Sequence, residues 1–178
     1  MASTPKPLGL VVLVLASLCL GGCADSLTQS KQLALDAAST QVIKLKENAA
    51  DVASASSSAA DLLGSLKSGS VGTFFPDPVP PDLGLPGPTF TVVYGGEISS
   101  DSVKYGAIVE ATGESGGGGT YHQSSVFLCL EVSSSVGADS KTSVRDSACR
   151  ADILSVLLKR DGNTPIRLND IPAARAPS

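Results

Sequence analysis

Six prolines crowd between Ser70 and Pro88 (Pro76, Pro78, Pro80, Pro81, Pro86 and Pro88), and none occurs from Ser26 to Ser68. Proline has no backbone N–H and a fixed φ, so it breaks helix interiors and is kept out of central strands. Together with Gly72, Gly84 and Gly87 the cluster predicts an extended, polyproline-like connector over 70–88. Phe74 and Phe75 are expected to pin one end of it to the core. The chain is thereby divided, and the segments on either side must find different structures.

Ser26–Ser68 is rich in Ala, Ser, Leu, Lys and Gln, has no aromatic residue and contains one glycine, Gly64, near its end. This composition predicts a long helix. Every third and fourth residue gives Leu35, Ala38, Val42, Leu45, Ala49, Val52, Ser56, Ala59, Leu63 and Leu66, a heptad-like stripe interrupted only by Ser56. Asp36, Gln41, Lys44, Lys46, Glu47 and Asp51 fill the opposite, solvated face. A helix of about 40 residues reaches about 60 Å. Alanine buries little area, so such a helix needs a surface to lie on. The following β region is the expected surface; a second chain joined through the stripe into an oligomeric stalk is the alternative, as is a frayed linker over Ala53–Ala60.

Beyond Pro88 the apolar period becomes two, punctuated by turn residues, which is the pattern of antiparallel strands. Strands are expected at Thr89–Tyr94, at Val103–Thr112 with Val103, Tyr105, Ala107, Val109 and Ala111 on one face, and at Tyr121–Ser133. The last carries Val126, Leu128, Leu130 and Val132 on one face and Phe127, Cys129 and Glu131 on the other. The glycine run in Ser115–Thr120 predicts a loop, Ser134–Ser140 a turn, and Lys141–Cys149 a returning strand. Ala151–Arg160 reads as a short helix ended by Gly162, or as a strand; Leu, Lys and Arg favour helix, and Pro165 disfavours a paired return strand.

The N-terminus has its own grammar. Lys6 gives a positive flank, Leu8–Leu20 is an apolar run, and Leu20-Gly21-Gly22-Cys23 places two small residues before a cysteine. The run is shorter than the ~20 residues a membrane-spanning helix needs and reads as a secretory signal. Leu20-Gly21-Gly22-Cys23 resembles the lipobox of bacterial lipoproteins, with Gly21 at a place where Ala or Ser is commonest. The resemblance covers only this stretch and implies a signal peptide over 1–22 and a lipidated Cys23; with the composition and periodicity read above, the chain divides into a lipidated N-terminus and helix over 23–69, the connector over 70–88 and a β domain with a possible short C-terminal helix over 89–178. The resemblance implies that Cys23 carries a thioether diacylglycerol and further acyl (palmitate-type) modification, holding the protein on the outer face of a membrane. Each buried methylene contributes about 0.8 kcal/mol, so one chain binds reversibly and two anchor stably. The strand–cysteine–turn–cysteine arrangement is also loosely similar to small secreted proteins of high-GC Gram-positive bacteria without an assigned activity, which implies no site.

Of four cysteines, Cys19 falls in the signal and Cys23 is the expected lipid carrier, leaving Cys129 and Cys149 as an even pair in an oxidising compartment. A disulfide between them is expected. In an antiparallel hairpin opposed residues share a constant sum, and pairing Cys129 with Cys149 centres the turn on Asp139, among the turn residues Gly137–Ser140. That register sets Glu131 against Ser147 and Ser133 against Arg145, with Glu131 and Arg145 as a diagonal pair. It also sets Leu128 against Arg150 and Val132 against Asp146, which suits an edge strand.

The 178 residues are 42% apolar with net charge −4, which fits one modest domain; without a basic run, no nucleic-acid partner is expected. His122 is the only histidine, so neither a histidine metal cluster nor a Ser-His-Asp triad can be assembled within the chain. It reads as a solvated strand-start residue. Gly116–Gly119 lacks the flanking residues of a phosphate loop and reads as a hairpin. Glu97, Asp101, Glu110, Glu114 and Glu131 show no spacing that marks an acid/base couple, and Asp139, Asp146 and Asp152 lack the alternation of a calcium loop.

The expectation is therefore an α+β protein: a long N-terminal Ala-rich helix packed on a small antiparallel β-sheet with one disulfide. No catalytic residue, metal ligand or cofactor is assigned. The expected role is a membrane-anchored envelope protein that binds or scaffolds an unidentified envelope protein or ligand. The alternatives are a carboxylate-dependent hydrolase of envelope polymers and the oligomeric stalk.

Overall fold

The structure is a computed structural model that describes residues 22–77, 86–117, 119–160 and 162–171. Lys6, Leu8–Leu20, Cys19, Pro78, Pro80, Pro81 and Gly84, which figure in the expectations above, lie outside the described residues. In chain order the elements are α1 (Gly22–Ala55), α2 (Ala59–Lys67), β1 (Thr73–Phe75), β2 (Phe90–Ser99), β3 (Ser102–Gly117), β4 (Thr120–Ser135), β5 (Thr142–Asp146), α3 (Ala151–Leu157), β6 (Asn163–Pro165) and a 3-10 turn (Leu168–Asp170).

The α+β class stands, but the sheet is mixed. It runs β1-β2-β3-β4-β5, with β6 also on β4. β2, β3, β4 and β5 pair antiparallel, whereas β1 is parallel to β2 and β6 is parallel to β4. The physical reason is the crossover. A parallel partner needs a connection of a dozen or more residues; the proline segment supplies it before β2, and the β5–α3 excursion supplies it before β6. Pro165 does not prevent pairing of β6, because its three residues lie outermost, where a missing N–H costs no ladder bond. For the same reason Thr73–Phe75, expected inside an extended connector, forms an edge strand. Phe75 is buried and Phe74 packs against the core, so the two phenylalanines do pin that end.

Strands β3 and β4 are 16 residues each and pair without interruption from Ser102↔Ser135 to Gly117↔Thr120. The loop expected over Ser115–Thr120 is shorter than that: pairing continues through Gly116 and Gly117 to Thr120 and Tyr121, and Gly119 lies in the turn. At about 3.4 Å per residue such a strand spans about 54 Å, and the 34 residues of α1 span about 51 Å. The helix lies lengthwise along β3 and β4, antiparallel to β3. Ser30 Oγ meets Ser124 Oγ at 2.9 Å near its start, and Ala53 O accepts the Gly137 N–H at 3.2 Å near its end.

On α1 and its continuation, the buried row is Ser30, Ala34, Ala38, Val42, Leu45, Ala49, Ala53, Ser56, Ala59, Leu62 and Leu66, with Ser39 buried beside it. The seven intervals from Ser30 to Ser56 average about 3.7 residues, close to a straight helix's period and longer than a heptad's 3.5. This corrects the stripe: Leu35, Val52 and Leu63 are half-buried, displaced by their neighbours Ala34, Ala53 and Leu62. The expected single helix is also two. It stops at Ser56, and Ser58 restarts it by accepting the Asp61 N–H (3.2 Å) while Asp61 Oδ2 accepts the Ser57 N–H (2.9 Å).

Against this helix pair the sheet presents Val93, Val103, Tyr105, Ala107, Val109, Ala111, Val126, Leu128, Leu130 and Val132, the face read from the alternation. Gly113 continues that row. A Cβ there would run into the backbone of Ser30 and Ala34, so glycine permits helix and strand to touch. Burial raises the Tyr105 phenol to about 12, with Ser134 beside it offsetting part of the effect. A second core covers part of the other face, where Phe75, Phe90, Val92, Tyr94, Ile108, Phe127 and Cys129 receive Ile153 and Leu157 of α3.

Candidate functional site

Beyond β5 the chain runs without regular structure from Ser147 to Arg150 before entering α3, and this strap lies on the α3 side of the sheet. Two bonds fasten it. Ser147 N–H donates to Cys129 O at 2.9 Å, and Cys149 forms the expected disulfide with Cys129, with a Cα–Cα distance of 5.2 Å. The hairpin register differs from the expected one by two residues. Glu131 faces Arg145, Ser133 faces Ser143, Val132 faces Val144 and Leu130 faces Asp146. Cys149 thus bridges from beyond the strand end instead of directly across it. The shift sets Val132 against Val144 and moves the apolar-to-charged opposition to Leu130 and Asp146, at the end of β5.

The strap separates two clefts. The larger, about 790 Å³, has Phe127, Cys129 and the disulfide on one side and Pro165, Ile166, Arg167 and Asp170 on the other. Its carboxylates are tied to backbone: Asp146 Oδ1 accepts the Leu168 N–H (2.9 Å) and Asp170 Oδ2 the Arg167 N–H (2.7 Å). Arg167 is exposed in its wall. The smaller cleft, about 370 Å³, is bounded by Tyr94, Gly95, Gly96, Glu97, Lys104, Glu131 and Arg150. Gly95 and Gly96 have positive φ where β2 bulges between Tyr94 and Glu97, so this wall carries no side chain for two residues.

Glu131, Lys104 and Arg150 in the smaller cleft are ion-paired. Arg145 Nε donates to Glu131 Oε1 at 2.6 Å and Lys104 Nζ lies 3.7 Å from Oε2. The Arg145 hydrogen bond is the main reason the Glu131 carboxyl sits below its ordinary range. Arg150 binds Asp152 (2.6 Å) and Asp77 (3.0 Å) and lies 5.4 Å from the centre of the Tyr94 ring. Its hydrogen bond holds Asp152 low, while burial pushes Tyr94 up.

At the far end of α3 sits a buried carboxylate. Glu110 in β3 is 1% exposed and receives Arg160 Nη1 at 2.8 Å and Asn163 Nδ2 at 3.3 Å. Arg160 Nη1 also donates to Gly87 O at 3.0 Å and its guanidinium lies over Phe90. Burial is the larger influence on Glu110 and raises its pKa, against the lowering effect of Arg160. Two arginines therefore bracket α3, one holding Asp77 and the other Gly87. The sequence marks neither them nor Asn163; the only trace is a short, largely apolar segment, Ala151–Leu157, with Arg150 before it and Arg160 three residues after it.

The other sequence candidates are dispersed. Glu97 and Glu131 share the smaller cleft, Asp101 lies in the β2–β3 turn, Glu114 lies near the β3–β4 tip, and His122 is a half-exposed residue of β4. Asp139 lies in the β4–β5 turn and Asp152 in α3, away from Asp146. Among the described residues no group of three or more His, Cys, Asp or Glu is placed to hold a metal ion, and no helix is long and apolar enough to cross a membrane. Cys23 lies in the first turn of α1.

No protein-family model matches the chain, and no curated protein or solved structure gives a significant match. The structural class, a long helix laid on a disulfide-bearing mixed sheet, therefore stands on the fold alone.

Proposed function

We propose that this protein is exported, lipidated on Cys23 and held on the outer face of a bacterial membrane, where it binds or scaffolds an envelope partner. The lipobox-like Leu20-Gly21-Gly22-Cys23 supports the anchor. The observation that carries the binding role is the 790 Å³ cleft beside the disulfide. One oxygen of each of its two carboxylates accepts a backbone N–H, which helps to fix the walls, and the exposed Arg167 in the wall offers a cation to an acidic group of the partner.

The anchor is tested by Cys23→Ser, which is expected to release the protein from the membrane fraction or leave it unprocessed; normal processing and retention would overturn it. The binding role is tested by a photoreactive residue at position 147, which borders both clefts, in intact cells. A defined adduct is expected there, absent when the probe sits at Gln32 on α1, and lost with Arg167→Glu. An adduct pattern indifferent to probe position and to Arg167 would remove the cleft as the binding site.

A further inference from the structure

The end of the molecule that carries Cys23 also carries the β3–β4 hairpin tip. Ser115 Oγ donates to Ser26 O, and Ser30 meets Ser124 one helical turn further on, so helix and hairpin are level there. Cys23 precedes Ser26 by three residues, about 4.5 Å along the helix. Gly116 and Gly117 follow Ser115 by about 3 to 7 Å along the strand in the same direction. The first turn of α1 and the turn of the hairpin therefore reach the same height, with no linker between the anchor cysteine and the folded body.

The chemistry of this end suits a lipid surface. From Ser115 to Tyr121 the tip has no charged residue. Tyr121, paired with Gly116, is 63% exposed, the most exposed of the large apolar side chains, and projects from the sheet face opposite α1, while Leu27 on α1 is 55% exposed at the same level on the other face. An aromatic ring with a polar end is the side chain that settles at a bilayer interface, apolar body inward and hydroxyl among the headgroups. Glu114, on the neighbouring strand beside Tyr121, raises the pKa of its phenol.

We infer that the β3–β4 tip, with Tyr121 and Leu27, is a second membrane contact that seats in the lipid interface beside the acylated Cys23 and stands the protein upright, α1 along the membrane normal. This rests on the lipid-anchor reading above. The clefts, the strap and the β2–β3 turn are then displayed at defined heights instead of tumbling on a tether.

The absence of tryptophan makes the test direct. Tyr121→Trp, Leu27→Trp and Ile98→Trp are produced as full chains, purified from membranes and reconstituted in phosphatidylcholine vesicles brominated on the upper acyl carbons. Ile98 is 49% exposed beside the β2–β3 turn, about 45 Å from the tip along the strands. Mass spectrometry of the N-terminal peptide reads the lipid independently. With Cys23 lipidated, the probes at 121 and 27 are expected to shift to the blue and lose intensity to bromine, while the probe at 98 does neither. Lipidated, vesicle-bound protein whose probes at 121 and 27 behave like the one at 98 would overturn the upright seating and leave the anchor intact. An unmodified Cys23 would overturn the anchor, and the seating with it.

Discussion

Among the described residues Glu110 is the one buried charged side chain, and its stability effect has a definite sign. Burial raises its pKa from the ordinary 4.5, so over the interval above 4.5 the folded state keeps a proton that the unfolded chain has released. Its contribution to stability is fullest below the unfolded value and declines as pH rises through the folded one. Glu131 and Asp152, held low by arginines, act oppositely: their contribution is present above the ordinary carboxylate range and is lost as pH falls through their lowered values. Glu110→Gln should therefore flatten the decline towards higher pH, read from unfolding midpoints between about pH 4 and 8, which brackets the ordinary carboxylate range. Because Gln stands in for the neutral carboxyl, which the raised pKa makes the better-tolerated form in the fold, the variant should be no less stable than the native chain at neutral pH. An unchanged pH slope would show that Glu110 is not the group responsible. Gly113 makes a steric counterpart. Gly113→Ala must push α1 off β3 and should cost about 1–3 kcal/mol, whereas Gly117→Ala, with open space around it, should stay within about 0.5 kcal/mol in denaturant titration.

At the level of elements, the join between α1 and α2 is set by one reciprocal pair. Ser58→Ala removes the acceptor for Asp61 N–H and should lower stability by about 1 kcal/mol, measured by urea unfolding, with no effect from Ser54→Ala, whose hydroxyl only returns to its own helix. The Ser58-x-x-Asp61 spacing was present in the sequence, yet a reading that weighed only the apolar stripe passed over it. The strand faces of β3 and β4 were legible because their alternation is long and one face is buried throughout. Register was not, because the cysteine sum assumed directly opposed partners, and a disulfide geometry also admits a cysteine that returns from beyond the strand end. The parallel edges were hidden for a different reason: three-residue strands have too few side chains to show a period. Of the site, the cysteine pair and Glu131 with Arg145 could be read, whereas Arg150, Arg160 and Asn163 act through contacts with residues dozens of positions away, which no local pattern records.

For the whole molecule, the disulfide fixes the last part of the chain to the sheet. Strap, α3 and β6 all lie on β4 or on the face beside it, and the 20-residue separation of Cys129 and Cys149 gives a loop-closure effect of about 3 kcal/mol. Cys149→Ser should lower the unfolding midpoint accordingly and loosen protease protection of 147–171 before that of β2–β4; a non-reduced digest should show the two cysteine peptides joined. Fully protected 147–171 in that variant would show that Glu110 and Arg160 suffice to hold α3. The order in which the chain is made gives the small residues under α1 a further meaning. The helix is finished at Ala55, but its bed is complete only when Ser135 has been added, 80 residues later. At about 5–20 residues per second this is an interval of about 4–16 s. Throughout it the longest element of the protein waits with its inner face bare. That face is mostly alanine and serine, which offers neighbouring nascent chains little to adhere to, so the same small side chains that let helix and strand touch in the finished protein keep the unfinished one from sticking to its neighbours.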